Sequence, residues 1–147
     1  FGSAACDPAM ITPDDLALVH GRAFTDYPRA WSAAEIAEFL EMDGCFLVGD
    51  LRAFVIGRVV LDEAEVLTVA TDPDFRRHGL ARAALQEFAE KARGMGAVSA
   101  FLEVAEDNIA ARPLYLAAGF VEVGRRPRYY HASDGKTVAA ILMRKDL

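Results

Sequence analysis

The stretch Val69-Ala-Thr-Asp-Pro-Asp-Phe-Arg-Arg-His-Gly-Leu-Ala81 constrains this chain more than any other. It reads as a β-strand, a short loop of turn formers and basic residues, and the start of a helix. Arg76, Arg77, His78 and Gly79 fall where that helix begins. A helix start carries unpaired backbone N–H groups and a partial positive charge, so it seats phosphate readily. Gly79 permits close approach to the backbone, and Ala81 keeps the next contact small. The stretch therefore predicts a pyrophosphate ligand.

Two nucleotide-binding patterns are absent. No Gly-x-x-x-x-Gly-Lys-Ser/Thr occurs, and Gly79 has no glycine two residues before it, so the dinucleotide fingerprint fails as well. What remains is Arg76-x-x-Gly79-x-Ala81, a pattern that by itself suits a plain strand-to-helix turn equally well.

The flanking elements have clear signatures. Thr12-Pro-Asp-Asp15 starts a helix whose face is Leu16, Val19, His20 and Ala23. Ser32 and Glu35 form a capping box, with Trp31 placed to staple onto Ile36 and Phe39 and Leu40 continuing the face. Cys45–Val48, Ala53–Leu61 and Glu65–Thr71 then alternate as strands of an antiparallel meander, with turns at Gly49-Asp50 and Asp62-Glu63. Gly79–Arg93 is the clearest helix, with a Glu87–Lys91 pair and Gly94 as its C-cap. Val98–Val104 is a strand that places Glu103 on the face opposite Leu102 and Val104. A short helix ending at Ala118 begins near Arg112 or is kinked at Pro113. Phe120–Val123 and Thr137–Met143 are the last strands, with a tight turn at Asp134-Gly135. The order α-α-β-β-β-α-β-α-β-β predicts an α+β fold: one mixed, mostly antiparallel central sheet flanked by helices in three layers.

Composition narrows the function classes. The 147 residues suit one domain, and 53% hydrophobic with 26% charged residues argues against disorder. No apolar run approaches the roughly 20 residues of a membrane span, and no signal peptide or membrane partner is expected. Residues 1–9 lack a pattern and a starting Met, and are expected to be disordered or foreign to the native chain. A net charge of −6 argues against nucleic acid and favours a cationic partner. Cys6 and Cys45 have no metal or redox spacing, so no metal is expected and a reducing cytoplasm fits. A monomer or weak dimer is expected.

The stretch 59–147 resembles the GCN5-related N-acetyltransferase (GNAT) family, and within it the bacterial ribosomal-protein-alanine N-acetyltransferases. The resemblance is carried by Val59-Val-Leu-Asp-Glu-Ala64, Thr71 to Ala81, Leu102-Glu-Val104, Asn108, Leu114-Tyr115, Gly119-Phe120, Arg125-Arg-Pro-Arg-Tyr-Tyr130 and Asp134-Gly135, with Trp31-Ser32 upstream. It implies acetyl-coenzyme A as co-substrate. Val69, Ala70 and Thr71 would hold the pantetheine arm and thioester, and Arg76, Arg77, His78, Gly79, Leu80, Ala81 and Arg82 the pyrophosphate. Asn108 would contact the arm. Glu103 matches the subfamily's proton acceptor and Tyr115 its proton donor, where Tyr115 also meets the cofactor.

Those assignments agree with the chemistry of acyl transfer to an amine. An α-amino group has a pKa near 8, so about a tenth is neutral at pH 7 and a base has a modest task. A backbone N–H near Val69 would serve the developing oxyanion. His78 is expected to border the loop, and His20 and His131 to be structural or exposed. Tyr129 and Tyr130 are expected in a hairpin beside the acceptor groove, and Arg125, Arg126 and Arg128 to face acids or solvent. Asp26, Glu35, Glu38, Asp62, Glu63 and Glu103 are candidates for an acidic lining. Three functions follow: N-α-acetylation of a protein N-terminus, most simply alanine of small-subunit ribosomal protein eighteen; acetylation of a small-molecule amine; or acyl-coenzyme A binding without turnover.

Overall fold

The computed structural model describes residues 10–25 and 29–147. The expectations for residues 1–9 and for Asp26 fall outside the described residues.

Two helices begin where the capping chemistry requires. In α1 (Pro13–Ala23), Thr12 Oγ1 accepts from the Asp15 N–H and the Asp15 carboxylate accepts from the Thr12 N–H, both at 3.1 Å. In α2 (Ala33–Glu41), Ser32 and Glu35 exchange the same pair of bonds at 3.1 and 2.9 Å. Each box stabilises its helix by about 1 kcal/mol. Glu35 also takes both Arg29 guanidinium nitrogens, at 2.8 and 2.5 Å, and this pairing draws its carboxyl down to about 2.

The meander is present, with its turns displaced. β1 (Cys45–Asp50) runs past Val48 through Gly49 and Asp50. The turn lies at Leu51-Arg52, because the Asp50 carboxylate accepts from the Arg52 N–H at 2.8 Å and pairs with its guanidinium at 2.6 Å. β2 (Ala53–Val60) ends one residue before Leu61, which adopts a φ of 57° in the next turn. β3 (Glu63–Thr71) starts two residues before Glu65 because Glu63 already pairs with Val60 and with Ser99.

A short 3-10 turn (Pro73–Phe75) leads to α3 (Leu80–Gly94). Gly94 is helical rather than capping; Met95 caps, and Gly96 takes the left-handed φ of 95°. The expected Glu87–Lys91 pair is replaced by a bond from the Gly49 N–H to Glu87 at 3.2 Å, which ties α3 to β1. β4 (Ser99–Ala105) excludes Val98, which is exposed while its N–H bonds to the Asp62 carbonyl at 2.7 Å. α4 (Ala111–Ala117) puts Pro113 at its third position, where the N–H would have no helical partner in any case. β5 (Val121–His131) and β6 (Thr137–Asp146) are much longer than Phe120–Val123 and Thr137–Met143.

The strand order is β1-β2-β3-β4-β6-β5, and among the described residues only the β3–β4 pairing is parallel. Apolar clusters cover both faces. Leu85, Phe88 and Ala92 of α3 and Tyr115 of α4 pack with Val55, Val66, Leu102 and Met143 on one face. Leu16 and Val19 of α1 and Ile36 of α2 pack with Phe54, Ile56 and Ala70 on the other. This is the predicted three-layer α+β arrangement. Trp31 packs against the second cluster as a staple should, with its ring stacked on Phe39 at 4.5 Å.

Candidate active site

A gap in the sheet creates the site. β3 and β4 pair only from Glu63↔Ser99 to Glu65↔Phe101, although β3 continues to Thr71 and β4 to Ala105. Beyond Glu65 the strands part, so that edge of β3 loses its partner strand and turns its free backbone groups into the opening. A β-bulge adds to this. Ile56 pairs with Thr68 and Gly57 with Val66, which leaves Leu67 unpaired. The extra residue reverses the alternation. Val66 therefore faces the α3 cluster, whereas Thr68 and Ala70 face the α1–α2 side.

The resulting cleft has a volume of about 290 Å³ and passes through the sheet. Glu103, on the α1–α2 face of β4, and Tyr115, from α4 on the other face, both line it. Glu103 keeps 25% of its side chain exposed, and its Oε1 lies 3.4 Å from Arg126 Nη2. Arg126 in turn sits over the Tyr129 ring at 5.4 Å. Arg125 pairs with Glu106 at 2.9 Å, so both arginines face acids as expected. Tyr115 is 8% exposed, set edge-on to Phe120 at 6.3 Å. Burial, and then the neighbouring Tyr130, push its phenol well above the ordinary range. Tyr130 is likewise pushed up to about 12 by burial and by the charge of Glu103.

The remaining predicted residues spread along the same opening. Val69 and Asn108 line the cleft. Asn108 Oδ1 accepts from the Ala111 N–H at 3.0 Å, so its amide N–H groups remain to donate. Ala70 is buried against α1 and α2, and Thr71 ends β3 half-buried. Arg76, Arg77, His78 and Gly79 form an exposed turn in which Arg77 and Gly79 take φ values of 66° and 73°. His78 lies edge-on to Phe75 at 6.4 Å. Gly79 is the N-cap of α3, where among the described residues no side chain closes the helix start and the space beside its Cα is open. Leu80 and Ala81 are half-buried in the first turn. Arg82 lines a separate hollow with Gln86, Arg93 and Lys145 rather than the cleft.

The acidic lining differs from expectation. Glu103 lines the cleft, joined by Glu65, whose carboxyl is raised by burial and by the charge of Glu103. Glu35 is held by Arg29, Glu38 is exposed on α2, and Asp62 is exposed in the β2–β3 turn. Glu63 borders an adjoining hollow of about 380 Å³. Glu65 was legible as the partner of Glu103 only once the parallel register Glu65↔Phe101 is known.

His20 and Thr68 were also missed as cleft residues. His20 is 1% exposed; the Trp31 N–H donates to its Nδ1 at 3.0 Å, and its Nε2 lies 2.9 Å from Thr68 Oγ1. Its ring stacks on Phe24 at 4.2 Å and on Trp31 at 5.2 Å. Burial draws its pKa from 6.5 to about 4, against an opposing pull from Glu35. His131 is exposed. Tyr129 and Tyr130, set edge-on at 5.1 Å, stand in a β5 bulge: Arg126 pairs with Ala140 and Tyr130 with Val138, so residues 127–129 face a single position of β6.

Comparison with known proteins agrees with this geometry. Residues 15–120 match the acetyltransferase (GNAT) family. The chain is 42% identical over 94 residues to the ribosomal protein bS18-alanine N-acetyltransferase of Escherichia coli K12, a match covering 64% of each chain, just under two thirds of that relative's length. The Salmonella typhimurium protein of the same name is 34% identical over 133 residues, covering 80% of this chain and 90% of that one. Among solved structures, the ribosomal-protein-S18-alanine N-acetyltransferase from Escherichia coli superposes with a TM-score of 0.79 at 32% identity, over 91% of this chain and 86% of that one. On the family match over residues 15–120 and these relatives, the chain belongs to the GNAT family of acetyltransferases.

Proposed function

We propose that this protein transfers an acetyl group from acetyl-coenzyme A to the α-amino group of a protein N-terminus in the cytoplasm. Alanine of ribosomal protein bS18 is the first acceptor to test, following the names of the relatives. The observation that carries the reading is that Glu103 and Tyr115 enter one cleft from opposite faces of the sheet. A base on one side and a hydrogen donor on the other suit an amine arriving opposite a departing thiolate.

The residues present fit the co-substrate. The α3 start is uncapped, has no acid in its first turn, and lies beside exposed Arg76, Arg77 and His78, which suits a pyrophosphate. The Asn108 amide is left to donate to a carbonyl of the arm. Acetyl-coenzyme A supplies an acyl group already activated as a thioester.

In the transfer, the amine nitrogen bonds to the acyl carbon and the carbon–sulfur bond breaks. The ammonium loses two protons overall: Glu103 takes one and passes it to water, and the other ends on sulfur. Backbone N–H groups of β3 around Val69 would donate to the acyl oxygen. Tyr115 is a phenol at neutral pH, as any tyrosine titrating near the ordinary value of about 10 is, and its burial raises that value further. A thiol's ordinary pKa of about 8.5 is lower, so Tyr115 helps the departing sulfur through a hydrogen bond rather than by fully giving up its proton.

The test is incubation with acetyl-coenzyme A and an Ala-starting peptide, its N-blocked version and a set of small amines, read by mass spectrometry. A single acetyl on the free N-terminus is expected. Acetylation of the blocked peptide on lysine, or of small amines alone, would overturn the acceptor assignment.

A further inference from the structure

His20 and Thr68 form a hydrogen-bond relay whose direction is fixed by chemistry. The Trp31 backbone N–H can only donate, so His20 Nδ1 is the acceptor of that 3.0 Å bond and carries no proton. The buried ring is neutral, so its proton is on Nε2 and is donated to Thr68 Oγ1 at 2.9 Å. Thr68 is then an acceptor toward His20, and its own hydroxyl hydrogen has no partner among the described residues. Thr68 is 8% exposed yet lines the cleft. A buried donor left without an acceptor is uncommon in a native fold, so at the edge of a cleft it is met by water or by the ligand that displaces that water.

The bulge at Leu67 decides which ligand. It turns Thr68 to the α1–α2 face, with His20, Phe24 and Trp31, away from Tyr115 and the α3 start. That face also carries Glu103. A hydrogen donor here meets the molecule that brings the amine, and only an oxygen close to the amine can reach it. In a peptide N-terminus that oxygen is the carbonyl of the first residue.

We propose that Thr68, oriented by His20, donates a hydrogen bond to the first carbonyl of the acceptor and so selects an amine attached to a peptide over an isolated amine. His20 is a positioning residue in this arrangement: it holds Thr68 Oγ1 as acceptor and thereby points the hydroxyl hydrogen at the substrate. The inference rests on the peptide acceptor proposed above.

The test pairs a change in the protein with a change in the substrate. An Ala-starting peptide is compared with its analogue in which the first peptide bond is an (E)-alkene, so that the carbonyl oxygen is gone and the shape is kept. The wild type is expected to prefer the amide peptide in kcat/KM by about tenfold beyond any preference that Thr68→Val retains, with most of the change in KM. Thr68→Ser, which keeps the hydroxyl, is expected to restore the discrimination. Because Thr68→Val leaves the His20 N–H unpaired, its fold is checked by cofactor affinity, and the wild-type preference for the amide stands independently of that variant. A preference as large in Thr68→Val as in the wild type, or an equal loss on both peptides, would overturn the assignment; the second result would place the hydroxyl on the acyl oxygen instead. Acetylation of small amines but of neither peptide would refute the peptide reading itself, and this inference with it.

Discussion

At the scale of single residues, the site depends on groups whose protonation the surroundings have set. If Glu103 removes the amine proton, Glu103→Gln should slow transfer most where the amine is protonated. A loss of about a hundredfold at pH 6.5, shrinking toward pH 9, is expected in kcat/KM profiles; a uniform loss would remove Glu103 from that role. Tyr115→Phe should lower kcat by about tenfold or more while cofactor affinity, read by calorimetry, stays within about twofold. His20 gives a prediction about stability. Its folded pKa of about 4 lies below the ordinary 6.5, so between those values the unfolded chain binds the proton and the folded one resists it. Unfolding free energy should therefore be level above pH 6.5 and fall as pH drops from 6.5 toward 4. Urea midpoints across that range, compared with His20→Gln, would show the slope, which should flatten in the variant. That Glu103 stands on a strand and Tyr115 on a helix was legible in the sequence. The buried contacts of His20 were not, because its partners Trp31 and Thr68 lie 11 and 48 residues away and nothing local marks them.

At the scale of elements, the sequence spoke most clearly where local chemistry suffices. The Ser32–Glu35 capping box and the Thr12 N-cap stand as read, because an N-cap needs only its own next three residues; the structure adds that Asp15 closes a second box with Thr12. Turn positions were less legible. Gly49-Asp50 has turn composition, yet Asp50 stays in β1 and closes the following turn through Arg52. The length of β5 was hidden as well, since an exposed edge strand has little apolar alternation and is held by its pairing with β6. Two glycines test this level. A Cβ at Gly57 would meet Phe88 ring carbons at 2.6 and 2.7 Å, where α3 approaches β2. Gly57→Ala should destabilise by about 1–3 kcal/mol and lower Tm by several degrees. Gly79 lies in open space, but its φ of 73° strains any L side chain, and it caps the helix start proposed to hold pyrophosphate. Gly79→Ala should cost about 1 kcal/mol of stability and weaken coenzyme A binding much more than that strain alone explains, as titration calorimetry would show.

At the scale of the whole molecule, charge and sheet geometry act together. The net charge of −6 should draw a basic acceptor toward a cleft that holds Glu65 and Glu103. KM for a basic N-terminal peptide should rise between about 50 and 500 mM salt, while a peptide with uncharged side chains changes less, because screening acts only on the charged encounter. The sequence alone determined the order of elements, the α+β class, the starts of the first three helices and the basic loop at Arg76–Gly79. All of these follow from periodicity and from bonds made within a few residues. The tertiary structure decided what the loop and the strands enclose. The parallel pairing of β3 and β4 stops at Glu65↔Phe101, and the bulge at Leu67 turns Thr68 to the opposite face. That places Glu65, Glu103 and the His20–Thr68 relay on one side of the opening and Tyr115 with Asn108 around it. Register and strand separation arise between segments distant in the chain, so no local pattern records them.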